Sequence, residues 1–432
     1  MATHSVTGPG SRVSGDPSEM SSRRFVLALL ACMLASAVTI GVFNLLVDPH
    51  GLSRWIEIPG FNVLKPRASQ SGEAFKYRAV TLLKPSTLLV GNSRVEMGWD
   101  PSTLSATRFG VTVNVALPGK GLDGLRPLLD HAWNASKPRD LLVGVDFMDC
   151  LSSRGAARSL SKDVASPPKS PWADQSGGPL DSLRTHSRRL LAFLSLDTTL
   201  DSIVTVASQH RAGTAHLRAD GFNPASDYES TVRIDGPRKM FVQRETEVIK
   251  TRFARQPSIR AADGSLSPCF GEIDALLRDA RARRQSVMIA TYPYHARLLE
   301  ILWQTNVWRD YEDWKRELTV MVERARAQGL QVVARDFSGY HVYATERLVD
   351  RADSRTPLRW YWEAGHFKSA LGDRMLSIMT GLAPSEGTFG AELATASIEG
   401  NLAAIRVERD QYTSTHPDVQ EAIRRLIKST SP

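Results

Sequence analysis

Cysteine is scarce in this chain, with three among 432 residues, and neither a Cys-x-x-Cys nor a His-x-x-x-His spacing occurs. That excludes a zinc-finger module and leaves no metal-ligand pattern. Aromatic residues make up only 7% of the chain, and they do not interleave with a basic stripe or form an RNP-like strand. The net charge of +8 and the isoelectric point near 9.5 therefore do not indicate nucleic acid. A basic balance of this kind also suits anionic lipid headgroups or a polyanionic substrate. Internal repeats are absent. With 42% hydrophobic and 23% charged residues, the composition is that of a globular chain and not of a multi-span membrane protein.

One long apolar run is present. Residues 1–24 form a Ser-, Gly- and Pro-rich tail that ends in Arg23-Arg24 and is expected to be disordered. Phe25 to Val47 then runs without a charge. As a helix at about 1.5 Å per residue it reaches about 35 Å, enough for one transmembrane crossing. The basic pair before the run places the tail in the cytoplasm and the rest of the chain outside, on the periplasmic side of an inner (plasma) membrane. A cleaved signal peptide is the rival reading, but its apolar core is usually shorter. Ala31-Cys32 suggests a lipoprotein site, yet the apolar run continues well past it. In an oxidising exterior Cys150 and Cys269, at the two ends of a long interruption in the domain, are candidates for a disulfide, with two unpaired thiols as the alternative.

Residues 48–80 are rich in turn formers and are expected to be a stalk. From 81 to 382 short apolar runs alternate with helical patterns. The strands are expected at Thr87–Val90, Val111–Ala116, Leu141–Val145, Ser286–Thr291 and Leu330–Ala334. Helices are expected over Gly121–Ser136, Gly271–Arg284 and His295–Gln328. Strands apolar on both faces and separated by helices imply an α/β domain around a five-stranded parallel sheet. Residues 151–268 interrupt it as a partly helical insertion with a helical patch near Leu180–Val206, and 383–432 form a helical appendage.

Ligands of open α/β sheets gather at the carboxyl ends of the strands. Those ends carry Gly91-Asn92-Ser93-Arg94, then Asn114 and Pro118-Gly119-Lys120-Gly121, then Asp146, then Pro293-Tyr294-His295, then Asp336. A Glu363-Ala364-Gly365-His366 segment follows. Serine needs a base to become a nucleophile, the base needs an orienting carboxylate, and the oxyanion needs donors. Ser93 is the candidate nucleophile, His366 the base and Glu363 the orienter. The amides of Ser93 and Gly119 are candidate oxyanion donors, with the side chain of Asn92 or Asn114 beside them. Asp146 is expected to serve as a structural hydrogen-bonding group near the site. His295 and Asp336 either line the cleft or merely finish their strands. Trp360, Tyr361 and Trp362 are more readily core than a stacking platform for sugar rings.

The blocks "GNSR", "LPGKG" and "EAGHF" fall in the order seen in SGNH (GDSL-like) hydrolases, and the chain resembles that superfamily over Lys84–Asp149 and Gln285–Gly381. More narrowly, "GNSRVEMGWDP", "NVALPG", "LLVGVDF" and a late Trp-Glu-x-x-His-Phe after a membrane anchor resemble SGNH-like proteins of bacterial exopolysaccharide synthesis and acetylation. The resemblance implies a three-layer, flavodoxin-like fold. It also implies a serine esterase or O-acetyltransferase acting on a cell-surface or secreted polysaccharide, without metal or cofactor and beside an export or synthesis complex. Two positions depart from the pattern: Glu363 replaces the usual Asp, and Asp146 stands where an oxyanion asparagine is expected. The alternative is a catalytically inactive scaffold or carbohydrate-binding component of an envelope assembly.

Overall fold

The structure is a computed structural model that describes residues 17–153, 193–211, 213–254, 256–348 and 356–430. Most of the expected tail, the Ser/Arg/Pro-rich part of the insertion and the first part of its expected helical patch lie outside the described residues.

Ten strands are present among the described residues: β1 (Thr87–Val90), β2 (Thr112–Asn114), β3 (Asp140–Val145), β4 (Ser152–Ser153), β5 (Pro257–Ser258), β6 (Ser286–Thr291), β7 (Val332–Asp336), β8 (Tyr361–Glu363), β9 (His366–Phe367) and β10 (Ala391–Glu392). The main sheet has six strands in the order β10-β7-β6-β3-β1-β2. Five of them are parallel, and β10 pairs antiparallel with β7. The expected five-stranded sheet is thus corrected to six. The extra edge strand is only two residues long, too short to leave a period-two pattern in the sequence. Residues of β1 and β3 are buried throughout, as a parallel strand covered on both faces requires.

The crossovers follow from handedness. Parallel connections are right-handed, so the chain passes over one face when it steps from β1 out to β2. It passes over the other face when it turns back to β3 and goes on to β6 and β7. Helices Leu122–Ser136, Pro268–Ala282 and Trp308–Ala327 accordingly form one packed layer, joined at its edge by Gly72–Leu83. Ser93–Gly98, Ser102–Ser105 and Ser369–Met379 pack together on the other face. There Gly98 and Gly372 bring the Ser93–Gly98 helix against the Ser369–Met379 helix: a Cβ on Gly372 would overlap the Gly98 carbonyl oxygen, and one on Gly98 would overlap the Phe367 ring. The expected helix over His295–Gln328 is two, Ala296–Gln304 and Trp308–Ala327, with Asn306 in a left-handed conformation between them.

A helix runs over Pro17–Val47. Its Ser22–Val47 part is long and apolar enough to cross a membrane, with a mean hydropathy of 2.5. Residues 48–80 are not a stalk. Asp48 accepts the backbone N–H of Leu52, Ser53 and Arg54 at 2.9, 3.0 and 2.8 Å. The buried Lys65 ammonium donates to the last helical carbonyl, that of Val47, at 2.7 Å, where a cation suits the negative end of the helix dipole. Phe75, Tyr77 and Val80 then enter the main core. Turn-forming residues here make a tight collar, and side-chain caps that act across many positions leave no local periodicity to read.

Cys150, just after β3, is disulfide-bonded to Cys269, in the first turn of Pro268–Ala282, with Cα atoms 5.0 Å apart. The bridge closes the insertion at its base across 119 positions. Closing so long a loop constrains the unfolded chain, so Cys269→Ala is expected to lower unfolding free energy by about 2–4 kcal/mol in chemical denaturation. Reduction of the wild type should give the same loss, and none in the variant.

Candidate active site

The chain leaves β1 and steps one way to β2 and the other way to β3, which opens a crevice beyond the carboxyl ends of β1 and β3. Asn92 caps the helix Ser93–Gly98 there, its side chain accepting from Arg94 N–H at 3.1 Å. This sets Ser93, a half-buried residue, at the first helical position. The β8–β9 hairpin turns back through Ala364-Gly365 and brings His366 to the same place. Ser93 Oγ lies 2.8 Å from His366 Nε2, and His366 Nδ1 is hydrogen-bonded to Glu363 Oε1. Glu363 Oε2 also accepts the Gly365 N–H at 2.8 Å.

Glu363 and His366 are both buried. Burial alone would favour the neutral acid, but His366, by its charge and its hydrogen bond, with the Gly365 N–H and Arg244, holds the Glu363 carboxyl down to about 2. An ionised carboxylate can only accept, so Nδ1 is the donor of this pair, and in the neutral imidazole Nε2 is then the acceptor that faces Ser93 Oγ. These three residues form a serine–base–carboxylate relay with the connectivity that nucleophilic catalysis needs.

The relay opens on a cleft of about 740 Å³. Gly119 lines it with a left-handed backbone, φ +70°, and a Cβ there would meet only open space. Asp146 lines it too, as a structural acceptor: it takes hydrogen bonds from Asn92 Nδ2 at 2.8 Å, from Met148 N–H at 3.0 Å, and from the Arg94 guanidinium and the Tyr294 hydroxyl. Asp149, one turn on, also accepts from Asn92 Nδ2, at 3.1 Å. Burial and the adjacent Asp146 carboxylate push its carboxyl well above the usual range.

Two expectations are corrected. Asn114 is fully buried and turned away from the cleft. Its amide donates to Val95 O at 2.8 Å and Trp99 O at 3.0 Å, and its Oδ1 accepts from Ala116 N–H at 3.1 Å. It fastens β2 to the Ser93–Gly98 helix and has no donor left for an oxyanion. His295 caps the helix Ala296–Gln304, accepting from Arg297 N–H at 3.2 Å through Nδ1, while Nε2 donates to Glu346 O at 2.8 Å. Burial holds it neutral, at about 3, and it stands outside the cleft. Asp336 likewise finishes its strand, paired with Lys315 at 2.9 Å. Asn92 does line the cleft, but its amide is committed to the two aspartates. Tyr361 and Trp362 are buried core side chains.

Residues beyond the sequence reading complete the site. Arg94 donates through Nε to Gly365 O at 2.7 Å and ties the serine turn to the histidine hairpin. It stands next to Ser93 in the sequence, which was the one available signal. From the insertion, Tyr228 lies 6.3 Å ring to ring from His366, and Arg244 Nε is 3.8 Å from Glu363 Oε1. Arg252 and Glu247 also line the cleft. Nothing local in the insertion marks them. No family model matches this chain, and no curated protein and no solved structure matches it either.

The depressed Glu363 carboxyl has a stability consequence. Its folded value lies below the ordinary 4.5, so between the two the unfolded chain binds more protons. The stabilisation is fully present above about pH 4.5 and fades as pH falls toward 2. The stability deficit of Glu363→Gln against wild type should therefore shrink across that interval in urea unfolding. A deficit independent of pH would mean that the ionised carboxylate is not what stabilises the hairpin.

Proposed function

We propose that this protein carries out acyl-ester chemistry through Ser93, as an SGNH-type hydrolase or O-acetyltransferase of three-layer, flavodoxin-like fold. The observation that carries the reading is the Ser93–His366–Glu363 relay at the mouth of a large cleft. The parallel strand order, 2-1-3-4-5 when the parallel strands are numbered along the chain, is that of flavodoxin-like sheets.

In the proposed reaction His366 Nε2 takes the Ser93 proton as Oγ bonds to the ester carbonyl carbon. The oxyanion forms beside the Ser93 and Gly119 amides. A first-turn N–H such as that of Ser93 has no carbonyl partner within its own helix. Collapse breaks the bond to the leaving oxygen, which receives the proton from His366 and departs as an alcohol. The acyl-serine is then attacked by water or by a sugar hydroxyl, whose proton passes to His366; collapse breaks the acyl carbon–Oγ bond, and His366 returns the proton to Ser93 Oγ, which restores the free serine and the neutral imidazole. The choice of acceptor separates hydrolysis from acyl transfer. A cleft that carries charges of both signs and several hydroxyls suits a hydrated polymer such as a polysaccharide.

A single span at Ser22–Val47 would hold the domain beside an export or synthesis complex, and Arg23-Arg24 would keep the short tail in the cytoplasm. A reporter fused after Pro432 is then expected to be active only outside the cytoplasm.

Fluorophosphonate labelling tests the chemistry. Wild type is expected to label at Ser93, and Ser93→Ala not at all. Turnover of an acetyl-ester substrate should fall on the order of 10⁴-fold in Ser93→Ala and in His366→Ala, with the double variant no worse, as for groups that act as a unit. The scaffold reading is favoured if wild type neither labels nor turns over ester while still binding polysaccharide.

A further inference from the structure

The helix Leu196–Ala207 is inside out for a domain surrounded by water. Ser202 and Thr205 are wholly buried. Asp201 faces the domain, pairing with Arg67 Nε at 3.0 Å and His50 Nε2 at 3.5 Å. On the other side Leu196, Leu200, Ile203 and Val204 are spaced as one helical stripe and are 75%, 61%, 53% and 37% exposed.

Its place in the molecule explains this polarity. The helix packs against the end of the Pro17–Val47 helix. Asn44 Nδ2 donates to Phe193 O at 2.7 Å and to Thr199 Oγ1 at 2.9 Å, and the Leu194 side chain lies against Gly41. At the other end Gln209 is bonded both ways to Leu64, at 3.0 and 2.8 Å. The loop that follows the Pro17–Val47 helix exposes Trp55 and Ile56. It is held to the end of the span by Asn62, whose amide donates to Leu46 O at 2.7 Å and Ile56 O at 2.8 Å. The apolar stripe is therefore continuous with the apolar shaft that would cross the bilayer.

We infer that Leu196–Ala207 and the Trp55 loop lie in the interfacial layer of the bilayer, with the leucine–isoleucine stripe among the upper acyl chains. The contacts with the span fall between Gly41 and Val47. Six residues of helix cover about 9 Å, which matches the roughly 5–10 Å to which interfacial helices sink. A tryptophan at the same level is characteristic of the membrane–water boundary. A second copy of the chain would cover the stripe equally well, but it would not account for the stripe's continuity with a lipid-facing shaft. The domain is then attached to the membrane by two helices, and its cleft faces a constant direction relative to the lipid surface.

The inference rests on the reading of Ser22–Val47 as a span, and the experiment separates the two. The full chain is reconstituted in phosphatidylcholine–phosphatidylglycerol vesicles with an environment-sensitive fluorophore at one of three places. These are the native Cys32 within the span, Leu200→Cys in a Cys32→Ser background, and Val407→Cys in that background, an exposed site on the helix Ile398–Thr415. Lipid nitroxides placed near the headgroup or near the chain end, and aqueous iodide, serve as quenchers. The Cys32 label is expected to respond to the deep nitroxide. The Leu200 label should respond several-fold more to the shallow nitroxide than to iodide, and the Val407 label to iodide alone. A Cys32 label beyond reach of the deep nitroxide would remove the span. With Cys32 quenched, a Leu200 label reached only by iodide, or shielded from every quencher as under a second copy, would overturn the interfacial helix.

Discussion

The site depends on one nearly buried cation. Arg94 follows the candidate nucleophile, and its guanidinium is paired with Asp146 at the end of β3 and bonded through Nε to the Gly365 carbonyl in the histidine hairpin. Tyr292 and Tyr294, from the end of β6, lie under it, with ring centroids 5.7 and 5.3 Å from the guanidinium carbon. Three chain segments far apart in sequence are thus held by a single planar group whose donors point in several directions at once. Losing one partner of such a pair leaves a charge uncompensated in a low-dielectric surrounding, a cost of about 3–5 kcal/mol. That penalty pins the serine turn against the hairpin and makes the 2.8 Å approach of Ser93 to His366 a property of the framework rather than of a mobile loop.

The insertion completes the cleft and is itself anchored to the framework that carries Ser93. Asn223 N–H donates to Glu96 O at 3.1 Å, and its amide to Glu96 Oε2 at 3.2 Å. The Glu96 carboxylate also meets the buried Lys76 ammonium at 3.1 Å, so a residue of the supposed stalk, one of the serine helix and one of the insertion share a single polar junction. The Cys150–Cys269 bridge fastens the same insertion at its base. Arg244 and Tyr228 can therefore stand beside Glu363 and His366 with little freedom, and whatever enters the cleft meets a preformed wall.

The same logic governs the end of the apolar helix. Lys65 on the Val47 carbonyl, Asp48 on three successive amides and Asn62 on Leu46 join that helix rigidly to the domain. A flexible stalk would let the domain tumble beside a membrane, whereas this collar transmits the orientation of the helix directly to the sheet.

Much of the site was legible in the sequence for a simple reason. Buried parallel strands are short, apolar on both faces and followed by turns, so β1 and β3 announce themselves, and the turns after them carry Ser93 and Asp146. The late Glu-x-x-His could be paired with Ser93 because few other segments offer a base and a carboxylate together. Composition and run length likewise determined the single apolar helix. The sequence could not distinguish an asparagine that offers its amide to a ligand from one that spends it on backbone carbonyls, as Asn114 does, nor a cleft histidine from a helix cap such as His295. The two-residue edge strand, the collar at 48–80 and the reach of Arg244 into the site were equally hidden. Each depends on hydrogen-bond partners and burial contributed by residues tens or hundreds of positions away. Side-chain commitments of that kind come into being only when the sheet closes and brings those partners within 3 Å or so of one another.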